Sequence, residues 1–395
     1  MMRSIINALV FDGEADEPIE SSIHIEDDRI AGVGGAPASR AEVVDAAGQL
    51  VTPGLIDAHF HAYGISLDFA ELEATPMSYV TAKAALRLGA ALRRGFTTVR
   101  DVAGGDIGLQ RALEEGVITG PRYFFTGKTL TQTGGHADPR PGHLNVPYCS
   151  GPMGEIVDGV DDLRRAVRER FRTGSHAIKL MTSGGVVSLT DPIRIPQYSP
   201  EEVRAVCDEA TRRQSYVAAH AYSAEAIVHS VDNGVRTIEH GNLIDQPTAK
   251  LMATHDAFLV PTLVAYDALR RRGDELGLNA ISQAKNREVL EAGQGSVQIA
   301  RAAGVRIGFG TDLMGELEDD QLVEFRIRSE VEGVADTLRS ATSVNADIIG
   351  RPDLGRIAEG AAADLVLFAG NPFDDPSVMW SAPRQVIQAG KDVST

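Results

Sequence analysis

Residues 52–64 read TPGLIDAHFHAYG, and the pattern of the chain changes at this stretch. Before Pro53 and Gly54, short apolar runs alternate with polar residues and turns, which predicts β-strands. After them, apolar runs alternate with amphipathic helical segments up to about residue 350, and the first run ends in His59 and His61. Such alternation predicts parallel βα units.

Eight apolar runs follow one another in this region, and each is compatible with one strand of a parallel sheet. They are LIDAHFH, FTTVRDV, YFFTG, AIKLM, YVAAHA, TIEHG, FLVPT and RIGFGTD. Eight βα repeats favour closure into a barrel, because closure covers both faces of every strand. The expected fold class is therefore α/β, with a distorted (β/α)8 TIM barrel over residues 54–350.

Strand and turn patterns return beyond residue 350, in LGRIAEG, ADLVLFAG and PRQVIQAG. A barrel that already has eight strands cannot accept them. We expect residues 351–395 to pair with residues 1–53 in a small composite β-sandwich domain formed by the two ends of the chain.

The composition of the 395-residue chain excludes several function classes. Its 55 acidic and 38 basic side chains give a net charge of -17, and their interspersed pattern argues against nucleic-acid binding. No apolar run approaches the roughly 20 residues of a membrane helix. Cys149 and Cys207 lie outside any CxxC spacing, which argues against a thiolate metal site. We expect a cytoplasmic homo-oligomer without nucleic-acid or membrane partners.

Polar side chains are concentrated at the predicted strand ends, where barrel enzymes carry their chemistry. His59 and His61 are two residues apart, so both imidazoles point to the same side of a strand. The other candidates lie in or at the ends of four further strands: Lys179, His220, His240 and Asp312. A lone histidine at such a position is more often structural than a ligand. The joint placement of these residues favours a metal site.

Lys179 differs from the other candidates, because an ammonium group has no lone pair and repels a divalent cation. Its spacing leaves two interpretations open. Its side chain extends out of the barrel mouth, or it takes part in the site.

The motifs resemble, in their order, those of the amidohydrolase superfamily, and more narrowly its branch of prolidase-like and imidazolonepropionase-related dipeptidases. The matching stretches are TPGLIDAHFHAYG, TTVRDV, GGHADPRPG, IKLMTSGGV, DPIRIPQYS, AAHAYS, TIEHG, FGTD and GRIAEGAAADLVLFAGNP. The resemblance covers nearly the whole chain. It implies a hydrolase of carbon–nitrogen bonds that holds two divalent metal ions, with zinc as the expected ion.

The resemblance implies a role for each predicted ligand. His59 and His61 would bind the more buried metal, and His220 and His240 the second. Lys179, carboxylated on Nζ to N6-carboxylysine, would bridge both metals. The carbamate is an anionic oxygen ligand, which resolves the charge conflict of the lysine.

The resemblance also implies the catalytic and substrate-binding residues. Asp312 would bind the first metal and take the proton of a metal-bridging hydroxide as the hydroxide attacks the amide carbonyl. His136 and Tyr222 would hold the substrate carbonyl or carboxylate. Arg100 either contacts a substrate carboxylate or forms a salt bridge with its neighbour Asp101.

The leading functional hypothesis is a dipeptidase, for Xaa-Pro or related dipeptides, or an N-acyl amino acid hydrolase. A cyclic-amide hydrolase of the imidazolonepropionase kind and a deaminase are the alternatives, although deaminases of the superfamily usually hold one metal and lack the lysine at position 179. A non-catalytic scaffold barrel is the third interpretation. The presence of every ligand position argues against it.

Overall fold

The computed structural model describes residues 2–140, 142–143, 150–188, 191–381 and 384–393. Its strands fall into three sheets. In chain order the strands are β1 (Met2–Val10), β2 (Ile19–Glu26), β3 (Arg29–Val33), β4 (Glu42–Asp45), β5 (Leu50–Pro53), β6 (Leu55–Phe60), β7 (Phe96–Asp101), β8 (Arg122–Phe125), β9 (Thr129–Thr131), β10 (Gly154–Ile156), β11 (Ile178–Met181), β12 (Val217–Ser223), β13 (Thr237–Leu243), β14 (Phe258–Val260), β15 (Arg306–Ile307), β16 (Leu365–Phe368), β17 (Arg384–Gln388) and β18 (Lys391–Asp392).

Helices connect most of the strands from β6 to β15, and further helices follow β15. They are α1 (Phe69–Ala74), α2 (Met77–Arg93), α3 (Ile107–Glu114), α4 (Val160–Arg172), α5 (Pro200–Arg212), α6 (Ala224–Val231), α7 (Gln246–Thr254), α8 (Leu263–Arg272), α9 (Ala280–Ala302), α10 (Val323–Glu332), α11 (Val334–Arg339), α12 (Asn345–Ile349) and α13 (Val378–Ser381). A 3-10 helix spans Gly315–Asp320. None of the helices in these ranges has the length and apolar character that a bilayer crossing requires.

Each of the eight predicted apolar runs contains one strand, and the paired neighbours among these strands are parallel. β6, β7 and β8 form one sheet, and β11 to β15 follow one another in a second sheet. Backbone hydrogen bonds join the two sheets at both of their facing edges. Ala58 N donates to Phe309 O just after β15, and His176 N, just before β11, donates to Phe125 O, both at 2.9 Å. The chain thus has the α/β class that the sequence predicts.

Strands from both ends of the chain share the third sheet, whose order is β18-β17-β16-β5-β1-β2-β3 with β4 beside β1. β16 is antiparallel to β5, with Val366 opposite Thr52. The run LGRIAEG does not form a strand and consists of turns and bends. Gly355 and Gly360 take φ values of +65° and +86° there, which interrupt an extended backbone.

Helix α5 shows how local sequence positions the strand that follows it. Ser199 caps its N-terminus in a capping box with Glu202, and Pro200 occupies the first turn. Val203 and Val206 lie on the buried face, in the core cluster that also contains residues of β12. Cys207 of α5 is a buried free thiol, and Cys149 lies outside the described residues.

Candidate metal centre

Two histidines lie side by side on β6. His59 and His61 are separated by one residue, so their side chains leave the strand on the same side. Their ring centroids are 5.1 Å apart, and both residues are buried. Two imidazoles in this arrangement are suited to bind one cation.

Asp312 brings a carboxylate to this histidine pair from the turn after β15. Its Oδ1 lies 2.7 Å from His61 Nε2 and 3.3 Å from His59 Nε2. The backbone N–H of Asp312 donates to His59 O at 2.8 Å, which holds the turn against β6. Burial opposes ionisation, but the neighbouring histidines lower the pKa of Asp312 well below its usual value. Together the three residues form a candidate cation site, with ligand atoms within 4.8 Å of one another.

Two more imidazoles reach this pair from β12 and β13. The ring centroids of His220 and His240 are 4.5 Å apart, and the His240 ring is 5.0 Å from the His59 ring. Burial lowers the pKa of His220 and of His240 well below the usual value. Both are therefore neutral at pH 7, and each offers a lone pair to a cation.

Lys179 of β11 is only 1 % exposed. Within the described ranges its Nζ has no hydrogen-bond partner. Burial lowers the pKa of this amine to about 8, so a fraction of it is uncharged near neutral pH. The neutral amine is the form that can add to CO₂.

Two buried nitrogen atoms of these residues support metal binding. His61 Nδ1 and Lys179 Nζ are both buried and lack a hydrogen-bond partner in the part of the chain that the structure describes. A bound ion is one ordinary reason for such atoms in a native protein. Imidazole and carboxylate groups are also the ligands that zinc accepts in catalytic sites. The residues present therefore fit a metal centre.

One cavity is lined by all six residues that the sequence predicts as ligands, and also by His136 and Tyr222. The rest of its wall is mainly apolar and includes Leu67, Phe69, Met153, Met181, Val186, Val187, Leu269, Met314 and Leu317. A mostly apolar cavity with a few convergent polar groups is the usual form of a small-molecule site.

His136 follows β9 and stacks on His220, with ring centroids 4.2 Å apart. Its Nδ1 lies 2.8 Å from Ser188 Oγ and 3.6 Å from Asp191 Oδ2. Both residues belong to the chain that follows β11. Gly185 lies against the same ring, and a Cβ at this position would be 1.9 Å from His136 Cε1. The absence of a side chain at Gly185 therefore allows His136 to reach the cavity.

Tyr222 stacks on His240, with ring centroids 5.0 Å apart. Its hydroxyl lies 3.0 Å from the hydroxyl of Tyr266, and Tyr266 also lies 2.8 Å from His240 Nδ1. Thr262 Oγ1 lies 2.8 Å from the same nitrogen. The sequence analysis missed Tyr266 and Thr262. The available signal was their position at the end of the run FLVPT and one turn into the next helix.

Arg100 pairs with Glu239 and not with Asp101, the salt-bridge partner considered from the sequence. Its guanidinium is buried and donates to Glu239 Oε1 at 2.8 Å, and among the described residues it is not part of the cavity wall. Asp101 instead accepts hydrogen bonds from the Tyr123 hydroxyl and from the backbone N–H of Ala62. Adjacent residues of β7 point to opposite sides of the strand, so Arg100 and Asp101 diverge.

Glu239 is a buried candidate that the sequence analysis missed. Its Oε2 lies 2.7 Å from His59 Nδ1. The carboxylate can therefore hold the Nδ1–H tautomer of His59 and leave Nε2 for a cation. Burial opposes its ionisation, but Arg100 and His59 lower the pKa of Glu239 below its usual value. The available signal was a carboxylate next to His240 in an apolar strand.

Comparisons with known proteins agree with this geometry. The model of the Amidohydrolase family matches residues 50–393. Ochratoxinase of Aspergillus niger is 30% identical over 365 residues, which cover 87% of this chain and 74% of that protein.

Two crystal structures are similar over 99% of both chains. One is a prolidase complexed with N-methylphosphonate-L-proline, with 44% identity and a TM-score of 0.96. The other is a Xaa-Pro dipeptidase with methionine bound in its active site, with 30% identity and a TM-score of 0.90. The chain therefore belongs to the amidohydrolase family, in its prolidase-like branch, and is a hydrolase of amide carbon–nitrogen bonds.

Proposed function

We propose that the protein is a metal-dependent amidohydrolase that releases a C-terminal amino acid from a dipeptide, Xaa-Pro or related, or from an N-acyl amino acid. The observation that carries this proposal is the cavity whose wall brings together the four predicted histidine ligands, the Asp312 carboxylate and the Lys179 amine, which has no hydrogen-bond partner among the described residues. The relatives support the substrate class, because one is a prolidase complexed with a proline derivative and another is a Xaa-Pro dipeptidase.

The proposal includes the architecture that brings these groups together. The eight parallel strands would close into a distorted (β/α)8 barrel over residues 54–350, which the backbone hydrogen bonds at both facing edges of the two sheets support. Residues 1–53 and 351–395 would form a small β-domain, supported by the sheet that their strands share. In a barrel the carboxyl ends of all strands open at one mouth, which accounts for the convergence of the site.

Two divalent cations, with zinc as the expected ion, would occupy the site. His59, His61 and Asp312 would hold the first, and His220 and His240 the second. Lys179, as its carbamate, would bind both. When bound, the cations would lower the pKa of a water molecule to roughly 7 and polarise the scissile carbonyl.

The carbamate would form on Lys179 itself. The neutral Nζ attacks the carbon of CO₂, an N–C bond forms, and the nitrogen releases one proton. The product carries one negative charge and two oxygen atoms, so a group that repels cations becomes a ligand. Lys179 Nζ is buried and has no hydrogen-bond partner in the described part of the chain. This environment favours the reaction, because it disfavours the ammonium form.

Asp312 would move the proton of the reaction. Its pKa is held well below the usual value by the adjacent histidines, so the carboxylate is ionised at neutral pH. It can accept a proton from the attacking water and deliver it to the leaving amine nitrogen as the C–N bond breaks.

His136 and Tyr222 would bind the carbonyl or the carboxylate of the substrate. Their rings stack on His220 and His240 respectively, which are the proposed ligands of the second metal. Burial raises the pKa of Tyr222 above its usual value, so its hydroxyl remains a hydrogen-bond donor. Tyr266 places a second hydroxyl next to it.

Metal analysis combined with a substrate screen tests this proposal. We expect two metal ions per chain and hydrolysis of members of a library of dipeptides and N-acyl amino acids, without ammonia release. Asp312→Asn keeps the size of the side chain and should lower kcat by about 10²–10⁴-fold. Ammonia release as the main reaction, or an Asp312→Asn protein that matches the parent on every substrate, would overturn the proposal.

A further inference from the structure

A buried arginine of α2 reaches between the two chain segments that carry His61 and Asp312. Arg87 is 5 % exposed. Its Nη2 donates to His61 O at 3.2 Å and to Leu313 O at 3.0 Å, and its Nη1 donates to Gly315 O at 3.0 Å. One guanidinium therefore ties the chain after β6 to the chain after β15.

These hydrogen bonds act on the backbone of the proposed ligands. One acceptor is the carbonyl of His61, and another belongs to Leu313, the residue that follows Asp312 in the chain. The side chains of His61 and Asp312 meet at 2.7 Å, so a shift between the two segments would separate them. A guanidinium is planar and presents its donors in a fixed fork, which fixes the spacing of the carbonyls that it binds.

The positive charge of Arg87 is balanced by an acidic side chain of the 3-10 helix. Glu318 of the 3-10 helix lies 3.1 Å from its Nη1. Arg94 also pairs with Glu318, at 3.3 Å, and with Asp319. Glu318 therefore keeps a cationic partner when Arg87 is replaced, and Arg94, which follows α2, provides a matched arginine that contacts the same 3-10 helix.

Arg87 is not part of the cavity wall among the residues that the structure describes. A direct contact with a small substrate is therefore not its role. Any influence on the reaction must pass through the segments whose carbonyls it binds.

We propose that Arg87 is a positioning residue that fixes the spacing of His61 and Asp312 and thereby raises the affinity of the first metal site. This inference rests on the proposed function, because it requires both residues to bind a metal. Groups that orient metal ligands from outside the coordination sphere typically change metal affinity about 10–100-fold when they are removed.

The test compares three variants of the full chain. Arg87→Met removes all three hydrogen bonds and keeps a long side chain. Arg87→Lys restores a donor that can reach part of the carbonyl set. Arg94→Met removes the neighbouring arginine, whose side chain makes no direct hydrogen bond to either ligand segment within the described ranges. For each protein we would measure the zinc affinity by competition with a chelator, the thermal midpoint of the metal-free form, and kcat and KM.

We expect Arg87→Met to lose about 10–100-fold in zinc affinity. Its kcat should fall while KM stays near the wild-type value, because the substrate-binding groups lie on other segments. Arg87→Lys should recover part of the affinity, and Arg94→Met should keep wild-type affinity.

Wild-type zinc affinity in folded Arg87→Met would overturn the inference and leave the proposed function standing. So would a lower thermal midpoint without a change in zinc affinity, which is the signature of a purely structural role. If Arg87→Met does not fold, Arg87→Lys decides: weaker zinc binding supports the inference and unchanged binding overturns it. Wild-type protein that binds no metal would overturn both proposals.

Discussion

The imidazole of His59 is the end of a buried chain of polar contacts that continues through Glu239 to Arg100. The two contacts measure 2.7 Å and 2.8 Å, and all three residues are at most 1 % exposed. Buried charges of this kind are tolerated because they compensate one another. The removal of one partner leaves the other charge without compensation in a medium that solvates it poorly.

Arg100→Met should therefore lower the free energy of unfolding of the metal-free protein by about 3–5 kcal/mol. Glu239→Gln should have a similar effect, and the double variant should recover part of the loss because no unpaired charge remains. Urea unfolding of the four proteins gives the coupling energy. Additive effects of the two substitutions would contradict the coupled pair.

Lys179→Ala should lose most of the bound metal, and kcat should fall by about 10²-fold or more because the bridging ligand is absent. Short carboxylic acids should restore part of the activity, since they supply the two oxygen atoms of the carbamate. Metal content and rate are the measurements, with Lys250→Ala on the exposed side of α7 as the control. Full metal content in Lys179→Ala would contradict the carbamate.

The sequence could predict the candidate site where the residues lie at the ends of strands. His59, His61, His220, His240 and Asp312 stand out because they interrupt apolar runs, and they line one cavity. Their supporting contacts could not be predicted, because Glu239 meets His59 across 180 positions of the chain. Such a contact depends on the register between distant strands, which a single sequence does not reveal.

At the scale of elements, the start of helix α8 shows how a distant helix supports the cavity. Thr262 precedes α8 in a left-handed conformation and has no capping hydrogen bond from its side chain. Glu324 of α10 accepts the backbone N–H of Val264 at 2.6 Å instead. Glu324 therefore holds the helix end that carries Tyr266 to His240.

Burial raises the pKa of Glu324 to about 7 from an ordinary value of 4.5, although Arg328 opposes this shift and Glu332 adds to it. Between pH 4.5 and 7 the unfolded chain loses this proton while the folded chain keeps it, so stability falls as the pH rises through this window. The loss is at most about 3 kcal/mol. The Glu324→Gln variant has no carboxyl group at this position, so its free energy of unfolding should not fall for this reason.

The measurement for Glu324→Gln is the difference in unfolding free energy between variant and wild type at pH 5 and at pH 8. Relative to wild type, the variant should be more stable at pH 8 than at pH 5. A difference that is the same at both pH values would show that Glu324 does not titrate in this window.

The elements themselves were predictable to different degrees. Near-continuous apolar runs gave one strand each, because such runs suit strands covered on both faces. β9 and β10 were missed, since three-residue strands such as Thr129–Thr131 carry too little pattern to be recognised. The run SVQIARAAG at residues 296–304 indicates a helix, but helix α9 begins much earlier, at Ala280. Gly293 and Gly295 weaken the helical pattern ahead of that run.

At the scale of the whole molecule, the two ends of the chain depend on each other. β17 pairs with β16, and β16 pairs with β5. Gln388 is the last residue of β17. Its Nε2 donates to Thr97 O and Gly120 O, which belong to the region of the parallel strands. The last strands thus contact both the shared sheet and the elements that carry the site.

A chain shortened to residues 1–381 should lose about 3–6 kcal/mol of stability, because it lacks the fully buried side chains of Val386 and Ile387. It should also aggregate through the exposed edge of β16. A chain shortened to residues 1–390 lacks only β18 and serves as the control. Thermal unfolding and size-exclusion chromatography are the measurements, and equal midpoints for the two would contradict the expectation.

The contact between Gly185 and His136 limits how this enzyme can acquire new specificities. Any larger residue at position 185 would displace the imidazole before it altered the shape of the pocket. Val186 and Val187 line the same cavity and already carry side chains there. Directed evolution toward other leaving groups should therefore randomise these two valines and keep the glycine, and surviving clones from an unbiased library should show that division.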